Sequence, residues 1–140
     1  MATINPYLNF SDQCEAAFNF YKSVFGGEFS DFQRFKEAPA EGNLPASEGD
    51  KLMHVALPIG RDTILMGSDS PSSMGAVRGG NNFHISISTS SEEETNRLYN
   101  GLSAGGQITM PLQQTFWGAR FGMLIDKFGI QWMVNQENKT

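Results

Sequence analysis

Residues 83–106 read FHISISTSSEEETNRLYNGLSAGG. Phe83, Ile85 and Ile87 alternate with His84, Ser86 and Ser88, the period of a strand with one apolar and one polar face. Ser90 or Ser91 can then cap a helix, and Glu92, Glu93 and Glu94 fall in its first turn, where the helix dipole favours acids. Leu98, Tyr99 and Leu102 give that helix an apolar side, and Gly105-Gly106 ends it. Strands are predicted over 107–115, 119–126 and 130–135, with Gly129 in the last turn. The order is strand, helix, Gly-Gly, three strands.

The first half repeats that order. Residues 3–10 read as a strand with Pro6 at an irregular start. Ser11 or Asp12 can cap a helix whose apolar side is Ala17, Phe18, Tyr21, Val24 and Phe25, and Gly26-Gly27 ends it. Residues 28–36 form the next strand, and 51–59 and 62–66 pair around Gly60-Arg61. Moving the first half along by 79 residues sets Leu8 on Ile87, Ser11 on Ser90, Glu15 on Glu94, Phe20 on Tyr99, and Gly26-Gly27 on Gly105-Gly106. The last strands align at a shorter offset, 64–66 onto 132–134, because the loop at 37–50 belongs to the first half alone.

One βαβββ unit cannot cover both faces of its own sheet, whereas two can cover one face with helices and leave a trough on the other. The expected fold is therefore α+β: two βαβββ modules forming a curved mixed sheet with a concave cavity and the helices outside. Module one spans 1–69, a linker 70–80, and module two 81–140, together a single domain.

Composition narrows the class of function. The chain has 140 residues, 39% of them hydrophobic, with eleven Phe, enough for one packed core. Fifteen acids against ten bases give a net charge of −5, which argues against nucleic acid or an anionic membrane as partner. The N-terminus lacks the basic and apolar regions of a signal peptide, so a cytoplasmic protein is expected. The lone cysteine, Cys14, cannot form an internal disulfide and reads as a buried structural thiol.

The segments PYLNF, EAAFNFYKSVFGGEF, LMHVAL, LMGSD and MPLQQTFWGARFGMLIDKFGIQWMVN resemble the vicinal oxygen chelate superfamily, the glyoxalase/bleomycin resistance/dioxygenase fold, and most closely its PhnB-like branch. They span nearly the whole chain. Members of this branch often carry the label 3-demethylubiquinone 3-methyltransferase, but no glycine-rich nucleotide loop follows a strand here.

The resemblance implies four metal-ligand positions, on the first and last strands of each module. They fall on Asn5, Leu65, His84 and Met133, of which His84 alone is a good ligand for a lyase metal. No cofactor is expected on this reading, since most of the expected ligand positions are not ligands. The predicted function is metal-independent binding of a small molecule, in a homodimer. The alternative is a metal-dependent lyase or dioxygenase using His84 with partners such as Gln131, Asn5 or Glu137. Whether a reaction is catalysed is left open.

The candidate ligand-binding residues are Asn5, Tyr7, Phe35, His54, His84, Trp117, Arg120, Phe121 and Trp132. The aromatics, with Phe32, would supply flat apolar walls, Arg120 would hold an anionic group, and the 37–50 loop would act as a lid. Asp126 is expected to cap the turn that follows it.

Overall fold

A computed structural model describes residues 1–37 and 46–137. The chain divides into two units, Met1–Arg78 and Gly79–Thr140. The first holds β1 (Tyr7–Phe10), α1 (Cys14–Phe25), β2 (Asp31–Arg34), β3 (Leu52–Ile59) and β4 (Thr63–Asp69). The second holds β5 (Ile85–Thr89), α2 (Glu92–Ser103), β6 (Gln107–Gln114), β7 (Ala119–Ile125) and β8 (Gln131–Glu137). Each is a βαβββ module with a four-stranded mixed sheet, in the order β1-β4-β3-β2 or β5-β8-β7-β6. In both, the first and last strands pair in parallel and the other neighbours are antiparallel.

Helix α1 buries Cys14, Ala17, Phe18, Tyr21 and Val24, the stripe that helical spacing predicts, against β3 and β4. Phe18 meets Tyr21 edge-to-face with ring centres 5.4 Å apart. It also lies over Gly67, where a Cβ would come within 2.6 Å of the Phe18 ring. Gly26, at φ 80° and ψ −170°, takes a positive-φ conformation open to glycine and ends the helix. Module two repeats the device. Tyr99 of α2 lies over Gly122 of β7 and donates its hydroxyl to the Met110 carbonyl at 2.9 Å.

The helix starts differ. Ser91 caps α2 as expected, its Oγ accepting the Glu94 N–H at 3.1 Å. Neither Ser11 nor Asp12 caps α1. The residue before that helix is Gln13, without a side-chain cap bond, and Asp69 of β4 reaches across to accept the Cys14 N–H. Phe35 and Lys36, expected in a strand, instead belong to a 3-10 turn over Phe35–Glu37. Another turn, Ser72–Met74, lies in the segment expected as linker.

The strand register corrects one alignment. Leu8 pairs with Gly67, and Ile87 with Val134. Gly67 is thus the counterpart of Val134, where the sequence comparison set Met66. The counterpart of Met133 is Met66, not Leu65. Leu65 is buried on the α1 side of its sheet and offers nothing to a ligand.

Candidate functional site

In module one the face turned away from α1 is built row by row. Tyr7, Met66, Ala56 and Asp31 pair in succession across β1, β4, β3 and β2. His54 lies two residues from Ala56 and pairs with Gln33. This brings together two predicted residues 47 positions apart. The Tyr7 hydroxyl is 3.2 Å from His54 Nδ1, and their rings stack at 5.7 Å. On the other side, His54 Nε2 is 3.5 Å from Asp31 Oδ2, while Asp31 Oδ1 accepts the Gln33 amide at 3.1 Å. The result is a polar chain, Tyr7–His54–Asp31–Gln33, across one sheet face. Asp31 was not foreseen. Its alternation with Phe32 was the available signal, but nothing in the sequence tied that face to His54.

Asn5 precedes β1. Its side-chain oxygen accepts the Ile64 N–H at 2.9 Å and so fastens the start of β4. Phe35 sits half-buried in the 3-10 turn, its N–H donating to the Lys51 carbonyl. The expected lid falls largely on residues 38–45, outside the described residues.

In module two, His84 precedes β5 and is half-buried. Gln131 donates its amide to the Phe83 carbonyl at 2.6 Å. Trp117 occupies the β6–β7 turn and stays 59% exposed. Its ring meets Phe116 edge-on at 5.0 Å and Phe121 at 6.1 Å. Beside it lies a cavity of about 270 Å3 lined by Trp117, Gly118, Ala119, Asn135 and Glu137. Asn135 and Glu137 come from β8, where Glu137 pairs with Ala119.

Two of the expected site residues lie on the α2 side of their sheet. Trp132 is 1% exposed, and its indole N–H donates to Asp126 Oδ2 at 2.8 Å. It belongs to the core of module two because it shares the α2 side of β8 with Val134. Arg120 shares a sheet face with Gly122, also the α2 side, and pairs with Glu92 at the helix start at 2.8 Å. It does not join Phe121. Asp126 caps its turn as expected, with Oδ1 accepting the N–H groups of Phe128 and Ile130.

The four implied metal positions carry a poor donor set. Asn5 has its oxygen engaged, His84 offers one imidazole nitrogen, and the last-strand counterparts Met66 and Met133 carry only thioethers. That set does not fit a hard or borderline lyase metal. Among the described residues, no group of three or more His, Cys, Asp or Glu is placed to hold a metal ion. Cys14, the first residue of α1, is no substitute. Burial, with the nearby charges of Asp69 and Glu15, pushes its thiol well above the ordinary value and keeps it protonated.

Among the described residues no helix is long and apolar enough to cross a membrane. Residues 3–134 match the model of the Glyoxalase/Bleomycin resistance protein/Dioxygenase superfamily. Protein YjdN of Escherichia coli (strain K12) is 31% identical over 140 residues, covering 94% of this chain and 93% of its own. The crystal structure of protein PA1353 from Pseudomonas aeruginosa is 39% identical with a TM-score of 0.87, covering 99% of this chain and 100% of the other. A PhnB protein from Bacillus cereus is 26% identical with a TM-score of 0.75, covering 96% and 99%. With two βαβββ modules and these similarities along its length, the chain belongs to the glyoxalase/bleomycin resistance protein/dioxygenase superfamily, in its PhnB-like branch.

Proposed function

We propose that this chain is a small-molecule-binding member of its superfamily that works without a metal ion, as a homodimer. The observation that carries the binding is the cavity beside Trp117, where an exposed indole, an amide and a carboxylate surround about 270 Å3. Concave sites with aromatic walls and a few placed polar groups suit small organic ligands. The Tyr7–His54–Asp31 chain offers a second set of hydrogen-bonding groups on module one. Metal independence is supported by the chemistry of the implied ligand positions, where Asn5, Met66 and Met133 accompany His84 and none of them supplies a carboxylate or a thiolate. Dimer formation is supported by exposed apolar groups such as Phe83, Ile64 and Ile108, which association would cover.

The test is elemental analysis of the wild type and of His84→Ala, both purified without chelator or affinity tag, alongside a thermal-shift screen of small organic molecules. The expected result is little metal, unchanged by the substitution, with stabilising organic ligands in the screen. Stoichiometric metal that disappears in His84→Ala would overturn the proposal in favour of a metal-dependent lyase or dioxygenase.

A further inference from the structure

We infer that the cavity at the Trp117 turn takes an organic cation, an amine or quaternary ammonium group on a flat apolar body. This deepens the small-molecule reading and rests on it. The charge of the lining is the first argument. Glu137 supplies a carboxylate and Asn135 an amide, and no lining residue is basic. Among the described residues no basic side chain forms an ion pair with Glu137. The nearest basic residue along β7, Arg120, belongs to the α2 side of the sheet, where Glu92 holds it.

The second argument is the ring. A cation over an indole face is attracted by the ring's quadrupole, and a carboxylate beside it adds a direct charge pair. Trp117 is exposed but supported, with Phe116 and Phe121 both set against it at steep interplanar angles, 90° and 62°. Its turn is fastened as well. Thr115 donates its N–H to the Ala119 carbonyl at 2.8 Å, and the Thr115 hydroxyl oxygen accepts the Ala119 N–H at 3.1 Å. Gly118, at φ 87°, has open space where a side chain would stand, leaving room beside the ring. The volume of about 270 Å3 lies just below the range of about 300–1,000 Å3 typical of ligand pockets, which suits a compact ligand.

The probe is benzyltrimethylammonium, titrated into the full chain by calorimetry and by tryptophan fluorescence, against its neutral isostere neopentylbenzene. Saturable binding of the cation is expected, with quenching of Trp117. Trp117→Ala and Glu137→Gln should each weaken it by about tenfold or more. Glu137→Asp should retain part of the affinity. Emission from buried Trp132 verifies that each variant is folded. Equal binding of the neutral isostere, or an unchanged affinity in Glu137→Gln, overturns the cation assignment and leaves the small-molecule reading standing. Failure of the cation to bind, with neutral hits in the thermal-shift screen, does the same. Failure of the cation together with an empty screen overturns both.

Discussion

Asp69 Oδ1 accepts the backbone N–H of Cys14 at 2.9 Å, and Asp69 Oδ2 accepts the N–H of Leu52 at 3.0 Å. One buried carboxylate on β4 thus serves the first turn of α1 and the entry to β3. A lost charged hydrogen bond costs about 1.5–3 kcal/mol, and an unpaired buried donor adds to it. Asp69→Ala is therefore expected to lower the unfolding free energy by about 3 kcal/mol or more in urea titrations. Asp69→Asn keeps one acceptor oxygen and should lose less. Ser11→Ala should be much milder, because that hydroxyl accepts only the Val77 N–H near the surface. A Ser11 variant as damaging as Asp69→Ala would show that α1 is capped locally after all.

The same pair shows what the sequence could and could not disclose. Apolar spacing located both helices, and Ser91, three residues before Glu94, was readable as a cap because capping there is local. The cap of α1 comes from 55 residues away, so no local pattern could carry it. Strand alternation gave each sheet two faces, but only the register assigns them. Trp132 and Phe121 are both aromatic and both on strands, and the pairing of Gly122 with Val134 beneath Tyr99 decides that Trp132 is core. Tyr7 and His54 meet because β4 alone lies between β1 and β3 in the sheet, an adjacency absent from sequence order.

Gly67 and Gly122 are filled by the aromatic rings above them. A Cβ at Gly67 would stand 2.6 Å from the Phe18 ring and 2.9 Å from the Leu8 carbonyl. One at Gly122 would stand 2.7 Å from the Tyr99 ring and 3.1 Å from the Met110 carbonyl. Backbone on one side and a core ring on the other leave little room to yield. Gly67→Ala and Gly122→Ala are each expected to destabilise their module by about 1–3 kcal/mol. Chemical denaturation measures this, and neutral substitutions would mean that the rings sit elsewhere.

Acid should loosen the segment around residues 46–51. Hydrogen bonds from Lys51 and Ser72 hold the Glu48 carboxyl down, from the ordinary 4.5 to about 2. Lys51 also pairs with Asp12 at 2.5 Å, which raises its own value. Because the folded value of Glu48 is depressed, its contribution is present above the ordinary range and is lost as pH falls toward about 2. The Arg34 guanidinium, bonded to both Glu15 oxygens at 2.9 Å, acts in the same direction on Glu15. Thermal melts across that window should fall less steeply in Glu48→Gln than in the wild type. An identical acid limb would show that the Glu48–Lys51 pair is not maintained in solution.

The polar chain on module one bears on which nitrogen of His54 carries its hydrogen. An ionised Asp31 accepts and cannot donate, so its place 3.5 Å from His54 Nε2 is expected to favour the neutral imidazole's hydrogen on that nitrogen. Nδ1 is then an acceptor for the Tyr7 hydroxyl at 3.2 Å. Long-range proton–nitrogen spectra of the neutral ring should report the Nε2–H tautomer. Asp31→Asn should weaken that preference, because an amide can either accept from or donate to Nε2. Tyr7→Phe should leave the tautomer in place while changing the Nδ1 shift, since that nitrogen loses its donor. The Nδ1–H tautomer in the wild type would mean that Tyr7 accepts from His54, and Asp31 would then have no part in orienting the ring.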